Sequence, residues 1–502
     1  MFKNLIAKLR QVMYKMGLLK GIKDVTQMKD VIMTDKMYDN IEKWKQLYMG
    51  YYPKWHDVTY QTVDGNSHKR QMRSMGMPKV ISAEMANLVF NEKCEISLSD
   101  ENTHDYVQKV FDNSSFYLQF QNYLEYMFAI GGIVAKVYAD DKGVRIGFVN
   151  ADCFIPTADD GKTVTEGIFI NESRKNNKKY TLLEWHSWQD NKYVIRNELY
   201  ESDGSDLGVK IPLANMYPNL QEEVPIENLK RSLFVYIKPN LANNVDLTSR
   251  LGVSIYSAAL DTIQSLDVAF DSFEREFRLG KKRIIVPTTA VKMVVDPISG
   301  QMHRYFDAND EVYEAMDIGG MDNGDIKDIS VELRVEEHIA AINALLNILA
   351  MQTGFSTGSF TFDSQGLKTA TEVVSQNSKT YRTRNGHITI IEEALKDLIA
   401  VVLDVSELYD FYSASEEYDV SINFDDSIAE DRNTNADYWI KLLINGIISK
   451  QYAMQKVLKV TEEDAKEMLA EINDENKIVL PEAVDLFGMN NKQQTDNPGA
   501  DG

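Results

Sequence analysis

The sequence predicts an α+β fold, mainly helical, and three observations carry that expectation. Period-two segments separated by turn residues occupy residues 133–200. Three long stretches with strict 3-4 apolar spacing follow between residues 255 and 405. A polar, acidic tail then resumes helical patterning after Asp431.

Taken in order, the N-terminal third mixes both patterns. Helices are expected over Met37–Met49, Ser82–Phe90, Asn102–Asn113 and Phe116–Gly131. Strands are expected over Ile133–Tyr138, Val144–Val149, Gly167–Asn171, Tyr180–Gln189 and Lys192–Tyr200, in antiparallel order. Turn residues such as Asp140-Asp141-Lys142-Gly143 and Asp203-Gly204 separate them.

From Ile255 the residues Ala259, Ile263, Leu266, Phe270, Phe273 and Phe277 continue one apolar face up to Gly280. That is a helix of about 25 residues, about 37 Å long. Its other face carries Asp261, Asp267, Asp271, Glu274 and Arg278. A short β-rich insert is expected next, with strands Arg283–Pro287, Val291–Val295 and His303–Phe306 and a turn at Asp296–Gly300. A second long helix starts near Ser330, with Val331, Val335, Ile339, Ile342, Leu346 and Leu349 on one face. The segment from Thr353 to Gly366 holds three glycines, three phenylalanines and several hydroxyls, and reads as a loop. Thr369 or Thr371 caps a third long helix, whose later stripe is Ile388, Ile391, Leu395, Leu398, Val402 and Val405. Asn445-Gly446 breaks the tail, Thr461-Glu462-Glu463-Asp464 forms a capping box, and residues from Asn491 read as disordered. Helices this long and amphipathic exceed a compact bundle and can bury their stripes beside copies of the same chain.

Composition narrows the function. A chain of 502 residues accommodates two to four structural regions. No apolar run is long enough to span a membrane, and Met1–Lys20 lacks the pattern of a secretory signal. Cys94 and Cys153 form neither a disulfide framework nor a metal motif, so an intracellular, reducing origin is the plain reading. The net charge of −22 is unevenly distributed. Residues 1–80 hold 15 Lys/Arg against 7 Asp/Glu, and residues 400–502 hold 8 against 22. Tight DNA binding needs a basic surface, so DNA is either irrelevant to this chain or touched without being gripped. Strong enzymatic signatures are missing. Gly366-Leu367-Lys368-Thr369 only echoes a phosphate loop, the histidines lack metal-ligand spacing, and Gly131-Gly132 follows a helix rather than a strand. No cofactor and no metal site is expected.

Several residues, in order, carry a resemblance. They are Trp44-x-x-x-Tyr48-x-Gly50 with Trp55, then Lys79-Val80-Ile81-Ser82-x-Glu84-x-Ala86-x-x-Val89 and Asn91-Glu92. Gly131-Gly132 with Lys136 and Tyr138 follows, then Gly252-x-Ser254-x-Tyr256 leading to Asp261 and Asp267. Met351-Gln352-Thr353-Gly354-Phe355-Ser356 through Thr369-Ala370-Thr371-Glu372-Val373 completes the set. Over nearly its whole length the chain resembles portal proteins of tailed phages, in the siphophage branch of Gram-positive hosts that includes Listeria phages.

The resemblance implies a non-enzymatic virion protein, made in the host cytoplasm and assembled as a twelve-fold ring at one capsid vertex. By position, residues 1–253 would be wing, 254–280 the first stem helix, 281–329 the clip and 330–353 the second stem helix. Residues 354–368 would be a tunnel loop, 369–430 a long wing helix with a return strand, 431–490 the crown and 491–502 a disordered tail. Double-stranded DNA would pass through the channel. Implied partners are the terminase large subunit, a scaffolding protein, the major capsid protein and a head-completion adaptor, with no membrane.

The candidate channel residues are then Gly354, Phe355, Ser356, Thr357, Gly358, Ser359, Phe360, Gly366 and Lys368. Asp267, Asp271 and Glu274 would form an acidic stem face along which DNA slides. Lys281, Lys282 and Arg283 are either a DNA or adaptor contact at the clip or a solvated basic face. Trp44, Tyr48 and Trp55 read as wing packing rather than a ligand patch. The basic N-terminal segment is either a scaffold- or capsid-binding element or a plain amphipathic helix. The competing functions are a cytosolic helical scaffold with no DNA role, and a nuclease using acidic pairs such as Asp425-Asp426.

Overall fold

A computed structural model describes residues 35–61, 65–91, 94–204, 206–280, 332–362, 377–414, 418–424, 432–458, 460 and 462–479, with four short strands between 281 and 331. The fold is mixed α+β, about half helical. Two compact units emerge: Met1–Lys368 with Ser375–Asp425, and Thr369–Val374 with Asp426–Gly502.

In the first unit, α1 (Asp35–Tyr48) and the single turn α2 (Pro53–His56) lead into a hairpin of β1 (Asp57–Gln61) and β2 (Ser67–Gln71). Helix α3 (Met77–Val89) begins five residues earlier than Ser82, because Gly76 turns the chain at φ 71° and Pro78 fits the first helical turn. After β3 (Glu95–Leu98), Asp100 caps α4 (Glu101–Asn113) by accepting the Thr103 N–H at 2.8 Å. Helix α5 (Phe116–Ile130) ends at Gly131, φ 94°.

The strands β4 (Ile133–Asp140) and β5 (Gly143–Asn150) form the expected hairpin. Strands β6 (Phe154–Asp159), β7 (Val164–Lys175), β8 (Lys178–Gln189), β9 (Lys192–Ser202), β10 (Val209–Ile211) and β11 (Glu223–Ile226) build a six-stranded antiparallel sheet, ordered β10-β9-β8-β7-β6 with β11 also on β9. Strand β12 (Phe234–Ile237) joins β4 and β5 in a second sheet. Sequence patterning missed β6 because Pro156 and a bulge interrupt it, and such interruptions suit an edge strand.

Helix α6 spans Leu260–Leu279, shorter at its start than the stripe from Ile255 predicts. The reason is a competing partner: the Ile255 N–H and the Ser254 hydroxyl both donate to the Phe128 carbonyl, at 2.9 and 3.3 Å. That pins residues 254–259 against the end of α5 instead of letting them coil. Between α6 and the next helix, β13 (Ile284–Ile285) pairs with β16 (Lys327–Asp328), and β14 (Lys292–Val295) with β15 (Met302–Tyr305). Helix α7 covers Val335–Gln352 and buries Ile342, Leu346 and Leu349, while Val331 lies outside the described residues.

Helix α8 (Ser378–Leu408) buries the expected Ile391, Leu395, Leu398, Val402 and Val405; its expected start at Thr369 or Thr371 lies outside the described residues. Strand β17 (Val420–Asn423) returns to pair with β3. The main core threads α1, α3, α4, α5, α8 and the sheet of β4, β5 and β12.

The second unit contains α9 (Arg432–Ile444), α10 (Lys450–Leu458) and α11 (Glu462–Val479), matching the expected break at Asn445-Gly446 and the start after Thr461. Among the described residues no helix is long and apolar enough to cross a membrane.

One buried group makes stability pH-dependent. His387 on α8 is buried, and its Nδ1 accepts the Asn240 N–H at 3.1 Å while Nε2 has no partner among the described residues. Burial pushes its pKa down to about 4. Below pH 6.5 the unfolded chain protonates this histidine and the folded one does not, so its stabilisation is full above 6.5 and declines towards pH 4. The expected loss between pH 7 and pH 4.5 is about 2–3 kcal/mol. His387→Asn keeps an acceptor for Asn240 without a titrating ring. Urea midpoints at the two pH values should therefore converge by that amount in the variant.

Candidate functional site

The residues singled out in the sequence converge on α6 and α7. Midway along α6, Asp267 and Asp271 are one helical turn apart and buried, at 2% and 4% exposure. Asp267 Oδ1 accepts the Met75 N–H at 2.8 Å and the Ser74 hydroxyl at 3.0 Å. Its Oδ2 lies 3.0 Å from His56 Nε2. The Tyr52 N–H donates to His56 Nδ1 at 2.8 Å, so the proton of the neutral ring sits on Nε2 and points at Asp267. Asp271 takes the Arg70 guanidinium in a two-pronged pair, 2.8 and 2.7 Å, and accepts the Arg73 N–H at 3.0 Å. Burial opposes the ionised Asp271, yet Arg70 and the Arg73 amide hold its pKa below the usual carboxylate value.

Two members of the expected acidic stem face are therefore buried within the subunit. Asp267 and Asp271 present no charge to solvent, because each is spent on the segment 70–75 and on α2. Glu274 alone of the three stays partly exposed, 3.9 Å from Arg278. A cleft of about 450 Å³ lies beside this latch of Asp267 and Asp271 on His56 and Arg70, bounded by Arg70, Arg73, Gly76, Asp271, Glu274 and Arg278.

The C-terminal end of α6 is tied to the start of α7. Glu276 accepts from Arg334 through both oxygens at 3.1 and 2.9 Å, with His338 at 3.8 Å. The Arg334 hydrogen bonds hold the Glu276 pKa at about 2. Phe273 lies 5.6 Å from the His338 ring, so the two helices run antiparallel.

Beyond α7, the segment read as a loop is only partly one. Gly354 at φ 86° turns the chain back, and a side chain there would meet Thr383 at 2.6 Å. Phe355 is buried, stacks obliquely on Phe360 at 5.0 Å, and donates its N–H to Ala350 O at 2.8 Å. Ser356 is also buried: its N–H donates to Thr380 Oγ1 at 2.8 Å and its hydroxyl accepts the Thr380 N–H at 3.3 Å. Asn347 and Asn343 on α7 accept the N–H groups of Gly358 and Phe362 at 2.7 and 3.2 Å. Lys379 donates to Met351 O at 2.6 Å, placing its charge at the C-terminus of α7. Phe355 and Ser356, expected in the channel loop, are buried within the subunit, because α7 and α8 supply partners for both. Thr357, Gly358, Ser359 and Phe360 sit on the surface of this docked turn or partly within it. Gly366 and Lys368 lie outside the described residues, as do Lys281, Lys282 and Arg283.

The sequence motifs meet at a junction that sequence order did not reveal. The backbones of Gly131 and Gly252 touch: a Cβ on Gly252 would lie 2.2 Å from Gly131 O. The Gly252 N–H donates to Tyr236 OH at 3.0 Å, and Tyr256 OH donates to Trp44 O at 2.9 Å. Trp44 is fully buried; Tyr48 bonds Glu125 and lies under Lys79, and Trp55 lies under Lys43. This junction roots α6 in the core. Among the described residues no group of three or more His, Cys, Asp or Glu is placed to hold a metal ion.

Comparison with known proteins adds the family. A family model described as phage portal protein, SPP1 Gp6-like, matches residues 33–477. Among solved structures, a chain from the virion of a native gene transfer agent particle aligns at 12% identity and a TM-score of 0.41. That alignment covers 76% of this chain and 88% of that one. No curated protein matches.

Proposed function

The chain belongs to the SPP1 Gp6-like family of phage portal proteins, and on that premise we propose that it closes a ring of about twelve identical subunits. Portal proteins of this family are non-enzymatic virion components that form the channel for DNA packaging and ejection at the capsid vertex. The finer reading assigns residues 1–253 to the wing, α6 and α7 to the stem, 281–329 to the clip, and 431–490 to the crown. It also places the chain in the siphophage branch of Gram-positive hosts. Terminase large subunit, scaffolding protein, major capsid protein and head-completion adaptor are its proposed partners.

The observation that carries this reading is one order of parts within the matched region. A long helix, a β insert, an antiparallel long helix and a glycine turn follow each other between Leu260 and Gly358. The net charge of −22 suits a conduit rather than a clamp, since it repels the phosphate backbone. In this reading residues 354–368 are the tunnel loop, with Lys368 as its cation. The clip cluster Lys281, Lys282 and Arg283 is in this reading either a solvated basic face or a contact for DNA or the adaptor.

Light scattering with negative-stain images tests the ring: a holed particle of about twelve copies is expected, and a stable compact dimer overturns it. Deleting residues 363–367 tests the loop. Rings should still form, while nuclease-protected DNA in assembled capsids falls about tenfold or more, roughly the loss of 1.4 kcal/mol of coupling. Unchanged packaging would remove the loop from the channel.

A further inference from the structure

Beyond the Arg70 pair at its root, the ribbon of β1 and β2 projects into solvent. Every described residue from Asp57 to Gln71 is exposed except the half-buried Val58 and Arg70. Among the described residues it forms a two-stranded sheet with no third strand. A lone two-stranded ribbon is marginal in water and an open edge is a template for another strand. Yet its root is tied to α6: Arg70 on Asp271, His56 on Asp267, and the Met72 N–H on His56 O at 2.7 Å. A rigid root under a solvent-bathed ribbon is the construction of an arm whose direction matters.

We propose that this ribbon is a docking arm that pairs through an open strand edge with a second copy of the chain. The inference rests on the ring reading above, which brings identical copies side by side. Charge favours the same occupant. Arg70 is committed to Asp271 and Asp57 accepts the Tyr51 hydroxyl at 2.7 Å, which leaves Lys69 as the cation displayed by the described ribbon. A neighbouring copy carrying −22 complements it, whereas one lysine is too little for a DNA contact. Tying the arm to Asp267 and Asp271 also couples the neighbour's position to α6.

The ladder phase makes the proposal testable. The Met72-to-His56 bond makes Val58–Arg70 and Tyr60–His68 the bonded pairs, so the N–H groups of Thr59, Gln61, Ser67 and Lys69 point outward. Thr59→Pro removes an outward donor from β1, and Lys69→Pro one from β2, with the internal ladder left intact. Thr59→Ala is the control that keeps the amide.

In full-length protein, one proline variant should cut ring yield about tenfold at fixed concentration, with the melting temperature of the free subunit unchanged, and the control should assemble normally. Hydrogen exchange on the wild type gives the second readout: amides of residues 57–71 should slow at least tenfold in the ring relative to the free subunit. Rings whose 57–71 amides exchange as fast as in the free subunit overturn the arm while leaving the ring reading intact. Normal ring yield from both proline variants does the same. A wild-type chain that forms no ring under any condition overturns the ring reading and the arm with it.

Discussion

Replacing Asp267 with alanine is expected to destabilise the folded subunit by on the order of 4 kcal/mol. The carboxylate accepts both the His56 Nε2–H and the Met75 N–H in a site sealed from water. Each buried donor left without an acceptor costs about 1–3 kcal/mol. Asn is the more telling change. An amide offers one oxygen, so its NH₂ must face either the histidine N–H or the Met75 N–H, donor against donor. The ring cannot adapt by switching tautomer without losing the Tyr52 N–H. Asp267→Asn should therefore cost about 1–3 kcal/mol despite its matching shape. Urea unfolding of the isolated subunit measures both. An alanine variant within about 0.5 kcal/mol of wild type, the range of ordinary surface changes, would mean that the latch does not hold α6.

Gly252→Ala is expected to be comparably damaging, about 3 kcal/mol or more. Its Cβ would sit 2.2 Å from Gly131 O and 2.7 Å from Lys238 Cβ, and the first of these is backbone that cannot rotate away. Moving the two chains apart also stretches the bond from Gly252 N–H to Tyr236 OH. Gly50→Ala provides the comparison. Gly50 has φ 79° with nothing within 4 Å of a built Cβ, so it bears only the left-handed strain of about 1–2 kcal/mol. Thermal melts that rank the two variants equally would show that the glycine junction yields, and that α6 is rooted elsewhere.

Much of the architecture was legible in the chain. The stripe of Ile391, Leu395, Leu398, Val402 and Val405 is a helix face because its 3-4 spacing admits no other regular structure, and α8 buries it as expected. Alternation did the same for β4, β5, β8 and β9, whose partners are near in sequence. Strands β3 and β17 were opaque for the opposite reason: Ile96 pairs with Ile422, and no local pattern encodes a partner so far along the chain. The β1–β2 ribbon was missed because exposure on both faces leaves no alternation to read.

For the candidate site the division is similar. The order of motifs from Trp44 to Val373 indicated the family, and the residues of the Gly131-Gly132 and Gly252-x-Ser254-x-Tyr256 motifs stood out without a stated purpose. Contact supplied the purpose: two glycine backbones touch, and only glycine permits it. The aspartates on α6 show the limit most clearly. Spacing placed Asp267 and Asp271 together on one helix face, which is a property of the helix and needs no tertiary information. Whether that face meets water or protein depends on His56 and Arg70, about 200 residues earlier, and on whether their polar groups can satisfy a buried carboxylate. Periodicity fixes which side chains share a surface, because it follows from local backbone geometry. Burial and charge state are decided by distant groups, because desolvation and hydrogen bonding act through space rather than along the chain.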